Sequence, residues 1–185
     1  DSEAGNFLRW SSSSQAVDQP YSSISSIIMD STDITITAHF STLFTLPEVI
    51  EAESAGYIQG ITTAISNDEG GGEILQIGNP VAFAEYLVKA PVAGVYGLSF
   101  RLASAEGARL VLKEMKKNII LDTIDVPPTG GPQNWLSVEG RQITSDTAIA
   151  VWRIESVSGS CNFNRFTVSA TGSLLVVNGS GSGVY

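Results

Sequence analysis

The stretch "AFAEYLVKAPVAGVYGLSFRLASAEGARLVLKEMKKNIILDTIDV", residues 82–126, decides the fold. Its apolar runs are short and are broken at regular intervals by Gly, Pro, Asn or charged pairs, the pattern of strands joined by tight turns. Local propensity alone favours a helix over "ARLVLKEMKKNII". Its β-branched neighbours and the short runs on either side point instead to a hairpin, with Lys116, Lys117 and Asn118 at the turn. The same punctuation continues downstream through "NWLSVEG" (134–140), "AIAVWRIES" (148–156) and "NFNRFTVS" (162–169). Short strands at this spacing predict an all-β protein, an antiparallel β-sandwich.

Composition agrees with that reading and narrows the partners. The 185 residues are 43% hydrophobic but only 16% charged, with 18 Gly, a balance suited to strands and turns. Nineteen acidic against ten basic residues give a net charge of -9, whose field repels phosphate backbones and anionic lipid. Nucleic acid and membrane surfaces are therefore excluded as partners, whereas a divalent cation or a neutral polysaccharide is tolerated. Cys161 is the single cysteine, so no internal disulfide staples the fold. No run of about 18 apolar residues predicts a membrane-spanning helix, and the first residues lack a signal-peptide pattern, which places any export signal upstream.

The chain divides into three parts. In residues 1–47 a Ser-rich stretch leads to "SSIIMDSTDITITAHF", where Ile34, Ile36 and Ala38 alternate with Thr35, Thr37 and His39 as in a strand. Residues 48–169, beginning after Pro47, carry the sandwich pattern. Residues 170–185 end in "VNGSGSGVY", too Gly-rich to stand as an element without a partner strand.

Few residues suit bond chemistry. His39 is the only histidine and lies far in sequence from Cys161, so neither a nucleophile triad nor a usual zinc site is expected. Glycoside hydrolysis needs two carboxyls roughly 5 to 9.5 Å apart. The acidic residues here lie mostly in turns or beside basic groups, as Glu114 does between Lys113 and Lys116, and read as solvated surface. Glu51 and Glu53 differ: as i and i+2 on a strand they would face one side, about 6.8 Å apart, where both reach a hard cation through oxygen. The spacing equally suits two carboxylates on a solvated edge. Trp135 follows the loop "TGGPQ", a place where an indole can be held at a rim to stack on a sugar ring. Asn162 and Asn164 in "CNFNRF" are amides able to donate and accept to hydroxyls, or to satisfy a turn.

Taken in order, "IEAE", "GGGEILQIGNPVAFAEYLVKAPVAGVYGLSFRLAS", "PPTGGPQNW" and "NFNRF" resemble the family 6 carbohydrate-binding modules over about Val49 to Ser169. The resemblance implies a lectin-like jelly-roll sandwich, glycan-chain binding without catalysis, a structural calcium, and attachment to secreted polysaccharide-degrading enzymes. It implies that Glu51 and Glu53 help hold that calcium, and that Trp135 and Asn162 belong to a site in the loops at one end. A second aromatic usual at that site is replaced by Ile77, and Ala64 stands where a glutamate is common. A second family site lies on a concave sheet face, where Phe83 takes the place of a tryptophan.

The flanks "FLRWSSSS" and "SSIIMDSTDITITAHF" are similar to the latter half of bacterial surface β-repeats, and "GSLLVVNGSGSGVY" to the opening strand of the next. The tail is expected to pair with the N-terminal strands, in this chain or a neighbour. The expected function is that of a secreted or cell-surface bacterial module tethering covalently linked domains to a polysaccharide or oligosaccharide. A structural or adhesive sandwich without sugar affinity is one rival, and a small glycan-cleaving enzyme the other.

Overall fold

The computed structural model describes residues 5–13, 17–29 and 33–173. Residues 174–185, which hold most of the expected tail strand, lie outside the described residues. The first strands are β1 (Asn6–Ser12), β2 (Ile36–Ser41), β3 (Leu43–Thr45) and β4 (Glu48–Glu51), and a short 3-10 turn (Ala52–Ser54) follows. Next come β5 (Tyr57–Gln59), β6 (Ile61–Ile65), β7 (Glu73–Ile77), β8 (Phe83–Lys89) and β9 (Gly94–Ala103). The last are β10 (Ala108–Glu114), β11 (Ile119–Val126), β12 (Leu136–Glu139), β13 (Ile143–Ser145), β14 (Ile149–Gly159) and β15 (Cys161–Ser173).

Two sheets face one another. One runs β11-β10-β14-β8-β3, with β5 also paired to β8; the other runs β12-β9-β15-β7-β6, with β13 on β9 and β4 on β15. Every pair is antiparallel except β3 with β8. The expected sandwich is present, and the stretch with helical propensity is the β10–β11 hairpin, turned at Asn118 with φ 52°. Alternation explains the interior: Val95, Gly97 and Ser99 of β9 are half-buried while Tyr96, Leu98 and Phe100 fill the core. Phe166 of β15 is the hub of that core. Its ring meets Tyr86 at 5.1 Å, Phe163 at 6.1 Å, Phe100 at 6.2 Å and Trp152 at 6.5 Å, so both sheets converge on one side chain.

β8 is buried on both faces, which a two-layer sandwich does not require. Ala84, Tyr86 and Val88 enter the central core, whereas Phe83, Glu85 and Leu87 point the other way and are covered by the N-terminal layer. β1 and β2 pair antiparallel and place Leu8 on Leu87 and Val151. Gly56 permits this approach, because a Cβ there would collide with the Ser41 side chain and Leu8 Cδ2. The Glu85 carboxylate, fully buried, accepts from Arg153 Nε at 2.9 Å and Nη2 at 2.6 Å, from Tyr21 Oη at 2.7 Å and from Arg9 Nη1 at 3.2 Å. Two guanidinium groups and a phenol thus satisfy one buried carboxylate and tie Arg9 of β1 and Tyr21 to the sheet. Burial and then the Glu85 charge push the Tyr21 phenol above its ordinary range, so Tyr21 stays a donor at any physiological pH.

Truncating the hub, Phe166→Ala, is expected to cost about 3–5 kcal/mol by opening a cavity that four neighbouring rings cannot fill. Urea or guanidinium unfolding of the two proteins measures it, and a loss below about 1 kcal/mol contradicts the hub role.

Candidate functional site

Strand register brings polar side chains together at one end of the sandwich. β15 sets Asn162 opposite Gln76 of β7 and opposite Ala103 of β9, with Cys161 opposite Ile77. An open cleft of about 370 Å³ lies there, lined among others by Thr62, Gln76, Ile77, Asn79, Ser104 and Asn162. Its walls are knitted by loops: Thr129 N donates to Ser104 O at 2.7 Å, Ser104 Oγ to Ser160 O at 2.6 Å, and Asn162 Nδ2 to Pro132 O. Thr62 Oγ1 reaches Gln76 Oε1 at 3.3 Å across β6 and β7. Burial pushes the Cys161 thiol up to about 12, so it lies at the cleft as an inert protonated group. The arrangement offers amides and hydroxyls to a neutral, hydroxyl-rich ligand and holds no nucleophile–base pair.

The residues singled out in the sequence do not all meet there. Asn162 and Ile77 line the cleft, but Ile77 is 1% exposed and packs into the central core, so it presents no face for stacking. Trp135 is half-buried on the loop between β11 and β12, three residues beyond the cleft residue Pro132 but not itself in the lining, and its Nε1 donates to Asn67 Oδ1 at 2.9 Å. Asn164 is not with Asn162: the pairing of β15 with β9 shifts between Phe163 and Arg165, and Asn164 turns inward to donate from Nδ2 to Asp68 Oδ2 at 2.8 Å. The reading of Phe83 as a sugar platform on the sheet face is corrected. Its ring lies under the Arg153 guanidinium, 3.7 Å from the centroid, with Arg9 at 5.9 Å, and the N-terminal layer leaves it 6% exposed.

Glu51 and Glu53 are near neighbours, though not as two positions of one strand: Glu51 ends β4 and Glu53 sits in the 3-10 turn. Burial holds the Glu51 carboxyl above its ordinary range, Arg165 across the ladder opposes that, and the Glu53 and Asp68 charges add to it. Glu53 Oε2 and Asn164 Oδ1 are buried without a hydrogen-bond partner, an expensive state for two acceptors. Among the described residues no group of three or more His, Cys, Asp or Glu side chains is placed to hold a metal ion. The Asp68 carboxylate is already engaged, taking Arg101 Nε at 2.8 Å and Nη2 at 2.7 Å. The acceptors left over, the Glu51 and Glu53 carboxylates and the Asn164 carbonyl, are all oxygens, the donor type that hard cations take. Sequence reading missed Asp68, Asn67, Arg101 and Gln133; the available signal was the polar run "SND" before the glycine triplet.

No family model matches the chain. Among curated proteins it is 32% identical over 93 residues to the clotting factor G alpha subunit of Tachypleus tridentatus, covering 49% of this chain and 14% of that protein. Among solved structures it is similar to a β-1,3-glucan-binding family 6 module from Bacillus halodurans, with 25% identity, 69% of this chain and 99% of that one covered, and a TM-score of 0.63. It is also similar to the C-terminal family 6 module of a laminarinase from Zobellia galactanivorans, with 28% identity, 66% and 98% covered, and a TM-score of 0.60. A third is a module of Cellvibrio mixtus lichenase 5A in complex with cellotriose, with 25% identity, 68% and 98% covered, and a TM-score of 0.62. These likenesses define the class: a non-catalytic carbohydrate-binding module. Within that class the solved structures it is similar to are family 6 modules, in keeping with the motifs between Val49 and Ser169.

The Asp68 carboxyl is held down to about 2, first by the Arg101 hydrogen bonds, with burial opposing and Asn164 assisting. Its folded value lies below the ordinary 3.8, so the stabilisation is present above 3.8 and is lost as pH falls towards 2. Wild type is therefore expected to lose stability over that acid interval more steeply than Asp68→Asn. Denaturant unfolding at stepped pH checks this, and parallel pH profiles for the two proteins contradict the assignment.

Proposed function

We propose that the cleft at the loop end binds a neutral β-linked glucan, with Asn162, Gln76, Thr62 and Asn79 hydrogen-bonding its hydroxyls and Trp135 forming the adjoining aromatic rim. The observation that carries this reading is the convergence of amides and a hydroxyl on one open cleft that contains no paired base and nucleophile. Support for the ligand class comes from the similar modules, one a β-1,3-glucan binder and one in complex with cellotriose. With Ile77 sealed in the core, a sugar ring gains an indole on one side at most. Affinity then rests on hydrogen bonds more than on stacking.

Glu51, Glu53 and Asn164 Oδ1 would hold a structural calcium, which neutralises two crowded carboxylates and gives the orphaned acceptors a partner. The module would act outside the cell as part of a longer secreted or surface protein, holding covalently linked domains near an insoluble polymer and raising their local concentration. No helix among the described residues is long and apolar enough to cross a membrane.

Two measurements test this reading. In gels containing soluble β-1,3-glucan or mixed-linkage β-glucan, wild-type migration is retarded, and Asn162→Ala and Trp135→Ala each weaken binding by about 5- to 150-fold, the effect of losing a contact worth about 1–3 kcal/mol. Unretarded wild type across a broad glycan panel contradicts the function. For the cation, chelation is expected to lower Tm by about 5–10 °C at a site otherwise about 99% filled, with calcium restoring it. Glu53→Gln abolishes that dependence, and a melt indifferent to chelator refutes the site.

A further inference from the structure

One loop, residues 66–72, touches both the Asn164 amide and the Trp135 indole. At its far end Gly70, Gly71 and Gly72 have φ of 94°, 66° and 88°, and no atom lies within 4 Å of a Cβ built on Gly70 or Gly71. Packing therefore does not place this loop; polar ties do. Ser66 N donates to Gly72 O and Gly71 N to Asp68 O, each at 3.0 Å, which closes the loop on itself. Asp68 anchors it to the sheet through both Arg101 nitrogens. Asp68 Oδ2 also accepts from Asn164 Nδ2, and the other end of that same amide is the orphaned Oδ1. On the opposite side Asn67 Oδ1 takes the Trp135 indole N–H, and Asn67 N donates to Gln133 Oε1 at 3.1 Å. Gln133 Nε2 donates in turn to Ile65 O at 3.1 Å.

We infer that Asn67 and Asp68 form a strap that couples the Glu51–Glu53–Asn164 pocket to the Trp135 rim, with both acting as positioning residues for the indole. The inference rests on the cation reading above for its trigger. A cation on Asn164 Oδ1 polarises the amide, so its Nδ2–H binds Asp68 more strongly. It also screens the repulsion between the Glu51 and Asp68 carboxylates. Both effects hold Asp68 in place, and the adjacent Asn67 carries that order to the indole. Filling the pocket therefore orders a sugar-facing ring with which it shares no ligand.

The test uses the full chain and needs no glycan. Emission belonging to Trp135, taken as wild type minus Trp135→Phe, is followed while calcium chloride is added to chelator-treated protein, with melting temperature recorded in parallel. The expected result is a shift in the Trp135 emission over the same calcium range that raises Tm. Asn67→Ala, which removes only the exposed end of the strap, keeps the rise in Tm and loses most of the emission shift. A full emission shift in Asn67→Ala overturns the strap. So does a wild type whose Tm rises with no change in Trp135 emission, which would leave the cation site standing. A wild type in which neither signal responds overturns the cation reading and the coupling together.

Discussion

A single buried carboxylate organises what this module can do. Glu85 lies at the centre of the outer face of one sheet, and a lone carboxylate there would be untenable without partners. Arg153, from the neighbouring strand, supplies one; Arg9 and Tyr21, from the N-terminal segment, supply the rest. The sheet face is satisfied only when β1 and the segment carrying Tyr21 cover it. That face, with Phe83 and Tyr57 stacked about the guanidinium groups, is committed to internal packing. The open cleft lies instead at the end of the sandwich, where loops meet over the strand termini.

The loop end is built to a different rule. Its strands are held by the Phe166 hub beneath, so the registers of β7, β9 and β15 are firm, while the segments above them are placed by side-chain hydrogen bonds. Ser104, Thr129 and Pro132 fix one wall; Asp68, Asn67 and Gln133 fix the rim around Trp135. A firm floor with polar, adjustable walls suits recognition of hydroxyl groups, which demands placed donors and acceptors rather than a large apolar surface.

Much of the fold was legible because alternation and turn chemistry are local properties. The β10–β11 hairpin could be read against its helical propensity, since β-branched neighbours and Asn118 outweighed Leu and Lys. Asn162 was legible as a cleft residue through its motif. Phe83 was misread because nothing local shows that a strand is covered on its second face; the covering residues Leu8, Arg9 and Tyr21 are more than sixty positions away. The run "FAEYLVK" did contain a hint, as a nearly continuous apolar strand with a lone glutamate is what a doubly buried strand looks like. Asn164 was paired with Asn162 by spacing, and only the bulge in β15 separates them. Ile77 was read as a departure at the rim, and its inward direction follows from register, which sequence does not print. Asp68 was hidden because its role depends on Arg101 of β9, which the loop carrying Asp68 meets only in the folded chain.

The central claim is that the loop end is open to glycan while the sheet face is closed by the Glu85 network. Amide hydrogen exchange on the full chain, with and without saturating soluble β-1,3-gluco-oligosaccharide, tests it most directly. The account predicts added protection at residues 60–62, 76–79, 103–105 and 160–162, with residues 83–87 and 151–155 unchanged. Added protection on β8 and β14, or none at the loop end, would contradict it.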